Sequence, residues 1–565
     1  MKRKLRMSQS NIIAGVIFLI TMFVACSPLF TENCINGHDV EYHLLRIESL
    51  KEGILMGKPF LKVNVLFLGG AGYASSMFYP DFLLYFPALL RVMGVSINAS
   101  YHLFIALCFV LCYGLTYYST RYITKNSYAA TIAAVVLTLC EYHIDDVYTR
   151  SAVGEYTAFI FVPLVICGLY DLIYEDMKKP WILGAGYAGV LLCHTNTCLM
   201  CILMGGLLCL YKYKVFKNSK LLLKAFVTVV VTILLTMFYW LPMVEQMYSA
   251  TFHFSTAWIS PAEAMREVSS VFYGVFPAVG ICLFMINLPR LMLAAKQEYK
   301  DLLEFSTILL IFGILFALAA TRLFPWERLG PYLEMIQFPW RMYLMASVCL
   351  AVSGAITLCL YFREEKVREY TLLIVICMMI VSAFSYMERT EEGYYSYSND
   401  YFAYEPFTFN IIGGEWLPET VKDVEAIEKT NDKAMTDQGK ELLIYRRKNS
   451  MTVEYPQQLC TYVDVPMVYY KGYAASSLAA DGGRTPLIVT GDGNNGYCRV
   501  MIPQGMKAQQ LDVYYKGTVL QMISYIVSTL TLIGIIGIFV MRSRKLAGTQ
   551  TEQKEDVGEQ QEERA

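Results

Sequence analysis

The feature that most limits what this chain can become is its run of apolar blocks. Blocks of about 18–22 residues recur along most of its length, and that is the length a helix needs to cross a bilayer. The 565 residues are 56% hydrophobic and 17% charged. A soluble chain carries about 25% charged residues. The expectation is an α-helical polytopic membrane protein with about twelve spans. The first is the apolar run 11–30 after "MKRKLR", read as an uncleaved signal anchor with its basic end inside. The others fall near 100–119, 127–141, 154–173, 180–193, 197–211, 222–243, 268–289, 303–320, 341–361, 369–386 and 519–541.

The loops test that count. "RYITKN", "YEDMKKP", "YKYKVFKNSK", "PRLMLAAKQEYK", "FREEKVRE" and "RSRKLAG" carry the basic residues. With this set of spans all of them fall on the side of the N-terminus, as the positive-inside rule asks. The agreement requires that "DFLLYFPALLRVMG", 81–94, does not span. It is short and holds Pro87 and Arg91, so it is read as lying at the outer membrane surface or re-entering it.

Residues 1–386 then form a transmembrane domain with an outer loop at 31–99. Residues 387–518 form a smaller extracytoplasmic domain, 519–541 a last span, and 542–565 a disordered cytoplasmic tail without apolar anchors. Within 387–518 the alternating runs "ELLIYRRKNSMTVEY", "PLIVTGD" and "CRVMIPQG" are separated by Gly, Asp and Asn, which predicts β-rich structure. The net charge of −1 points to no nucleic acid. Most of the sixteen cysteines sit in apolar blocks and read as small buried residues; a Cys460–Cys498 pair is left open.

Four polar clusters lie at the predicted outer ends of spans, where charge is costly and so marks site candidates. "GHDVEYHLLR" holds Asp39, His43 and Arg46 at spacings that share a helix face. "EYHIDDVYTRSAVGEY" holds Asp145, Asp146, Arg150 and Glu155, with Arg150 within reach of either aspartate. "CHTNT" holds His194, which by itself reads more often as a hydrogen-bonded helix end than as a ligand. "FPWERLGPYLEMIQFPWR" ends in Arg341, whose two-pronged guanidinium suits a phosphate. Carboxylates, imidazoles and arginines beside a hydrophobic wall suit a substrate that is part lipid and part phosphate.

The ordered set "GHDVEYHLLRIESLKEGILMGKP", "GGAGYASSMFYPDFLLYFPALL", "YHIDDVYTRSAVGEYTAFIFVPL", "HTNT", "FYWLPMVE", "QFPWR", "GEWLP", "VYYKGYAA" and "GDGNNGYCRVMIP" resembles YfhO-type bacterial membrane proteins. It also resembles the group named 6-pyruvoyl-tetrahydropterin synthase related. Both are placed in the GT-C glycosyltransferase superfamily. The resemblance implies a GT-C-like fold in the bacterial cytoplasmic membrane with its active site facing outside. It implies hexosyl-type transfer from a polyprenyl-phosphate-linked sugar to a cell-envelope acceptor, with inversion. Asp39 would be the general base, aided by His43, and Asp145 or Asp146 a second acid. Arg46, Arg150, Glu155, His194 and Arg341 would line the substrate site. A divalent cation, Mg or Mn, held by Asp39 and Asp146 is left open. The pterin-synthase name does not carry its zinc chemistry here, because the six histidines form no close triplet. A lipid flippase and a non-catalytic envelope scaffold are the competing readings.

The topology has a direct check. A cysteine introduced at position 430 is expected to react with a membrane-impermeant thiol reagent added to intact cells, and one at position 216 is not. The reverse labelling would invert the orientation.

Overall fold

The computed structural model describes residues 2–562, apart from 65, 254–259, 275–276, 295, 390–392, 400, 402–413, 429–432, 448–449 and 456–459, with side chains from residue 12 to 541. The chain is mostly helical, with several apolar helices and a β-rich C-terminal domain, as a multi-pass membrane protein requires. Six helices are long and apolar enough to cross a bilayer: Ile97–Thr124, Val153–Tyr174, Gln297–Ala319, Pro339–Tyr361, Glu365–Arg389 and Val519–Met541. Two bent pairs bring the number to eight if each is one span: Ser127–Leu139 with Glu141–Tyr148, and Ser219–Leu235 with Met237–Met247.

The expected count of about twelve is therefore not reached by long helices among the described residues. The blocks at 180–193 and 197–211 become the helices Pro180–Leu191 and Thr195–Tyr211, each shorter than a full span. The block at 268–289 is broken into the short turns Val268–Val271 and Ile281–Met285. Gly274, Pro277 and Gly280 interrupt it, and Gly280 has φ 89°. Apolar length was right there, but glycine and proline remove continuous helix. The segment 81–94 contains one short helix, Tyr85–Val92, too short to span, as expected. The last helix runs Val519–Glu562, so the stretch 542–562, read from composition as disordered, is helical. Its Glu, Gln, Lys and Arg are good helix formers even without an apolar face.

The C-terminal domain is a nine-stranded antiparallel sheet. Its strands are β3 (Lys433–Thr436), β4 (Glu441–Arg447), β5 (Ser450–Glu454), β6 (Tyr462–Val468), β7 (Tyr473–Leu478), β8 (Arg484–Leu487), β9 (Val489–Thr490), β10 (Tyr497–Met501) and β11 (Gln510–Tyr515). The order is β8-β7-β11-β5-β4-β3-β6-β10-β9. Alternating burial along β4 and β7 shows one face packed and the other wet. Cys460 and Cys498 are both free thiols.

The sheet is fastened to the helical part. Val468 N–H donates to Ala71 C=O at 2.9 Å, and Lys471 N–H donates to Gln246 Oε1 at 3.2 Å. A two-stranded ribbon, β1 (Cys34–Ile35) with β2 (Tyr394–Tyr395), ties the loop 31–99 to the chain beyond the helix Glu365–Arg389.

One contact sets the position of that loop. Gly37 lies against the turn that follows the helix Glu141–Tyr148. A Cβ at residue 37 would run into Ser151 Oγ and stand 2.9 Å from the Tyr148 carbonyl oxygen. The bare backbone lets His38 N–H donate to Thr149 C=O and Asp39 N–H to Arg150 C=O, both at 3.0 Å. Gly37→Ala is expected to destabilise the protein by about 1–3 kcal/mol through overpacking. Because the Tyr148 carbonyl is backbone, adding Ser151→Gly should restore only part of the lost thermal stability; full restoration would show that the approach is not limiting.

Candidate functional site

The two backbone bonds from residues 38 and 39 deliver the N-terminus of the helix Val40–Leu55 to a buried ion-pair array. Asp39 is the residue just before that helix, and its side chain makes no capping bond. Cys140, in extended conformation, breaks the preceding helix, so that Glu141–Tyr148 leaves at 42° and carries Asp145 and Asp146. Ser151, with φ 51°, then turns the chain into the helix Val153–Tyr174, whose first turn holds Glu155. An acid there also suits the positive end of the helix.

Arg150 is the centre of the array. Its Nη1 donates to Asp146 Oδ1 at 2.5 Å, to Glu155 Oε2 at 2.9 Å and to Tyr142 Oη at 3.1 Å. Its Nη2 donates to Glu155 Oε1 at 2.7 Å. Tyr142 donates to Glu155 Oε2 at 2.8 Å. Arg341 approaches from the start of the helix Met342–Tyr361, and its Nε donates to Glu155 Oε1 at 3.0 Å. Its Nη1 donates to Ile336 C=O at 3.1 Å and to Gln337 Oε1. Arg341 Nη2 makes no hydrogen bond among the described residues. Glu155 thus binds two guanidinium groups, which compensates its burial.

Asp39 differs from these groups. Its carboxylate makes no hydrogen bond or ion pair among the described residues, and it is accessible. Its pKa is nonetheless pushed up to about 6, chiefly because protein crowds the carboxyl and displaces bulk water. The charges of Arg150 and Arg341 pull it down, and those of Glu155 and Glu415 push it up. A carboxylate with an unclaimed lone pair and a raised pKa is suited to accept a proton.

The remaining expected residues separate into two groups. His194 lies near the site: its ring is 6.4 Å from that of Tyr79, and Glu155 and Arg341 are among its charged neighbours. Its Nδ1 is 2.8 Å from Thr197 Oγ1, which also serves the helix end. His43 and Arg46, expected to converge with Asp39, are instead buried under it. Arg46 donates to Asp81 Oδ1 at 2.5 Å, to Pro80 C=O at 2.7 Å and to Tyr79 C=O at 3.3 Å, and covers the Tyr79 ring at 4.3 Å. Its anion is Asp81, not a ligand. His43 Nδ1 faces Arg46 Nη1 at 3.2 Å, and burial with the Arg46 charge holds its pKa well below the usual value, so the ring is neutral. Asp145 points the other way from Asp146 and accepts from Tyr386 at 2.7 Å. The spacing of four and three was correct, and Asp39 caps the helix with its carbonyl accepting from His43 N–H at 3.2 Å, but neither the His43 nor the Arg46 side chain bonds to the Asp39 carboxylate.

The metal pair considered from sequence does not fit. Asp146 is ion-paired with Arg150, and no group of three His, Cys, Asp or Glu among the described residues is placed to hold a metal ion.

Four residues of the site carried no sequence signal of their own. Tyr79 Oη accepts from Gly154 N–H at 3.0 Å, where a Cβ on residue 154 would strike the phenol. Gln337 Nε2 donates to Glu415 Oε1 at 2.8 Å, and Trp416 follows beside Tyr79, ring centres 5.8 Å apart. The motifs "GGAGYASSMFYPDFLLYFPALL", "QFPWR" and "GEWLP" contained these residues, but only the fold shows that they meet.

No family model matches the chain. An uncharacterized protein of Lactococcus lactis subsp. cremoris (strain MG1363) is 21% identical over 596 residues, spanning 94% of this chain and 96% of that protein. Among solved structures, arabinofuranosyltransferase AftD from Mycobacteria overlaps 68% of this chain with TM-score 0.46 and 13% identity. ArnT from Cupriavidus metallidurans bound to undecaprenyl phosphate overlaps 66% with TM-score 0.43 and 14% identity. The Archaeoglobus fulgidus oligosaccharyltransferase in the apo form overlaps 68% with TM-score 0.40 and 12% identity. The chain spans 28%, 63% and 56% of these three proteins, less than two thirds of each. The functional reading that follows rests on the geometry of the site and on the sequence motifs.

The array and the free carboxylate predict opposite mutational effects. Arg150→Ala strands Asp146 and half of Glu155, and is expected to cost about 3–5 kcal/mol, read as a lower thermal midpoint. Asp39→Asn is expected to leave the midpoint unchanged or raise it. The Asp39 carboxyl ionises near pH 6 in the fold and lower when unfolded. Its ionisation therefore opposes folding as pH rises through that window, and Asn removes the opposition. A large loss of stability in Asp39→Asn would show that the carboxylate has a partner.

Proposed function

We propose that the chain is a membrane glycosyltransferase of the GT-C type. It moves a sugar from a polyprenyl-phosphate donor to a hydroxyl of a cell-envelope acceptor on the outer side of the bacterial cytoplasmic membrane. The observation that carries this reading is the accessible carboxylate of Asp39, without a hydrogen bond or ion pair among the described residues, beside two arginines that a buried glutamate holds in place.

The step is one displacement. The acceptor oxygen attacks the anomeric carbon while its proton passes to Asp39. The carbon–oxygen bond to phosphate breaks, and the polyprenyl phosphate leaves with the electron pair. Arg341 Nη2 supplies a donor to that developing charge, and the charges of Arg150 and Arg341 stabilise it without having to reorganise. A single displacement inverts the anomeric centre. Glu155 acts through the arginines: its two carboxylate oxygens fix both forks in place. Tyr142 donates to the carboxylate oxygen that also accepts from Arg150 Nη1. An aliphatic polyprenyl chain suits the apolar helices that surround the site.

A flippase or a scaffold has no need of an uncommitted base. Asp39→Asn is expected to lower transfer by about 10²–10⁴ in rate while the protein stays folded. Wild-type kcat/KM should fall about tenfold per unit as pH drops below the Asp39 pKa of about 6, since only the ionised carboxylate accepts the proton. The assay is release of radiolabelled sugar from lipid extracts of cells expressing the protein, followed in proteoliposomes. Near-normal transfer by folded Asp39→Asn overturns Asp39 as the base.

A further inference from the structure

Two residues near the array have backbone conformations that side chains rarely adopt. Gln337 has φ 60° and ψ −64°, at the centre of a γ-turn closed by Phe338 N–H donating to Ile336 C=O at 2.7 Å. Trp416 has φ 59° in a turn closed by Leu417 N–H donating to Gly414 C=O at 2.9 Å. A positive φ at that place in a turn is usually given to Gly or Asn. Such conformations persist only where surrounding contacts hold them, and they concentrate at binding sites.

The two strained residues belong to one chain of contacts. Arg341 Nη1 donates to Gln337 Oε1, and Gln337 Nε2 donates to Glu415 Oε1 at 2.8 Å. Trp416 is the next residue. Its backbone is locked on both sides: its N–H donates to His253 C=O at 2.8 Å, and its C=O accepts from Tyr470 Oη at 3.3 Å. The indole is only half-buried. It sits over Phe78, ring centres 6.0 Å apart and 20° from parallel, and beside Tyr79. Its Nε1–H makes no hydrogen bond among the described residues. Apolar packing alone does not need an indole on a left-handed backbone with its N–H unused. The Glu415 charge also acts on Asp39, and Tyr79, beside Trp416, accepts from the Gly154 N–H next to Glu155, so this wall borders the array.

We infer that Trp416 and Glu415 form the subsite for the sugar ring of the donor, with the indole stacked on the ring's C–H face and the carboxylate accepting from its hydroxyls. The inference deepens the glycosyltransferase reading and rests on it. A donor sugar is bonded directly to phosphate, so its subsite must adjoin the phosphate partner. The contacts from Arg341 through Gln337 to Glu415 place the two together. The segment Gly414–Leu417, which leads into the β-rich domain, would thereby select the sugar.

The test uses the full chain in nanodiscs and saturation-transfer NMR with a panel of methyl hexopyranosides, glycerol serving as the non-sugar control. Wild type and Asp39→Asn are expected to transfer saturation to the ring C–H protons of at least one glycoside. Trp416→Ala should weaken that binding about tenfold or more and Trp416→Phe less, since a smaller ring still stacks. Undecaprenyl phosphate, titrated separately, should bind equally to all four. If Trp416→Ala misfolds, Trp416→Gly replaces it, because glycine takes a positive φ without strain. Equal glycoside binding by wild type and the alanine or glycine variant overturns the subsite, as does absence of glycoside binding in wild type. Failure of the transfer reading looks different: Trp416-dependent glycoside binding with no transfer from any lipid-linked sugar retains the subsite and removes the reaction.

Discussion

Arg150 is a cation buried against two carboxylates, and the architecture around it follows from keeping it compensated. A lone guanidinium in this setting would be strongly disfavoured. Asp146 supplies one anion from the same turn, four residues back, and Glu155 supplies another from the next helix. Tyr142 completes the donors and acceptors. Glu155 has capacity for more than one fork, and Arg341 takes the remainder from a helix almost two hundred residues away in sequence. A local charge problem between residues 146 and 155 thus joins the middle of the chain to its later spans.

The same array explains why Asp39 can remain uncommitted. Both arginines are already neutralised locally by Asp146 and Glu155, so neither captures the Asp39 carboxylate in an ion pair. They still act on it through space and moderate the effect of desolvation. An acid without that field would hold its proton too tightly to serve as a base near neutral pH. The backbone bonds at residues 38 and 39, permitted by Gly37, set the distance. Arg46 is withdrawn from the contest by Asp81 and the carbonyls of residues 79 and 80. Two aspartate–arginine sets are thereby kept apart, Arg46 with Asp81 and Arg150 with Asp146.

The β-rich domain takes part in this arrangement. Its sheet is bonded to the loop 31–99 and to the helix Met237–Met247, and the segment entering it reaches Gln337 through Glu415. Tyr73, in the loop, donates to the Glu415 carbonyl at 2.7 Å. A wall of aromatic rings, Tyr73, Phe78, Tyr79 and Trp416, closes the space between helices and sheet.

By itself, the sequence determined the membrane character, the β-rich C-terminal domain, and the polar stretches from which the site is built. Those depend on composition and short-range periodicity, which act wherever the chain lies. That Arg150 lies within reach of Asp145 or Asp146 was legible for the same reason; which of the two it pairs with was not. The long spans at 97–124, 153–174, 339–361 and 365–389 were legible because nothing interrupts them. The block at 268–289 was not, because hydropathy does not register what Gly274, Pro277 and Gly280 do to a backbone. Only the tertiary structure decided which acid pairs with which base. Arg46 had several acids within reach along the sequence, and its partner, Asp81, is thirty-five residues away. The Asp39 carboxylate has no bonding partner among the described residues, and Arg341 meets Glu155 and Gln337, for one reason. An ion pair is won by whichever partner arrives within about 3 Å with its desolvation compensated, and that depends on how helices cross and loops close.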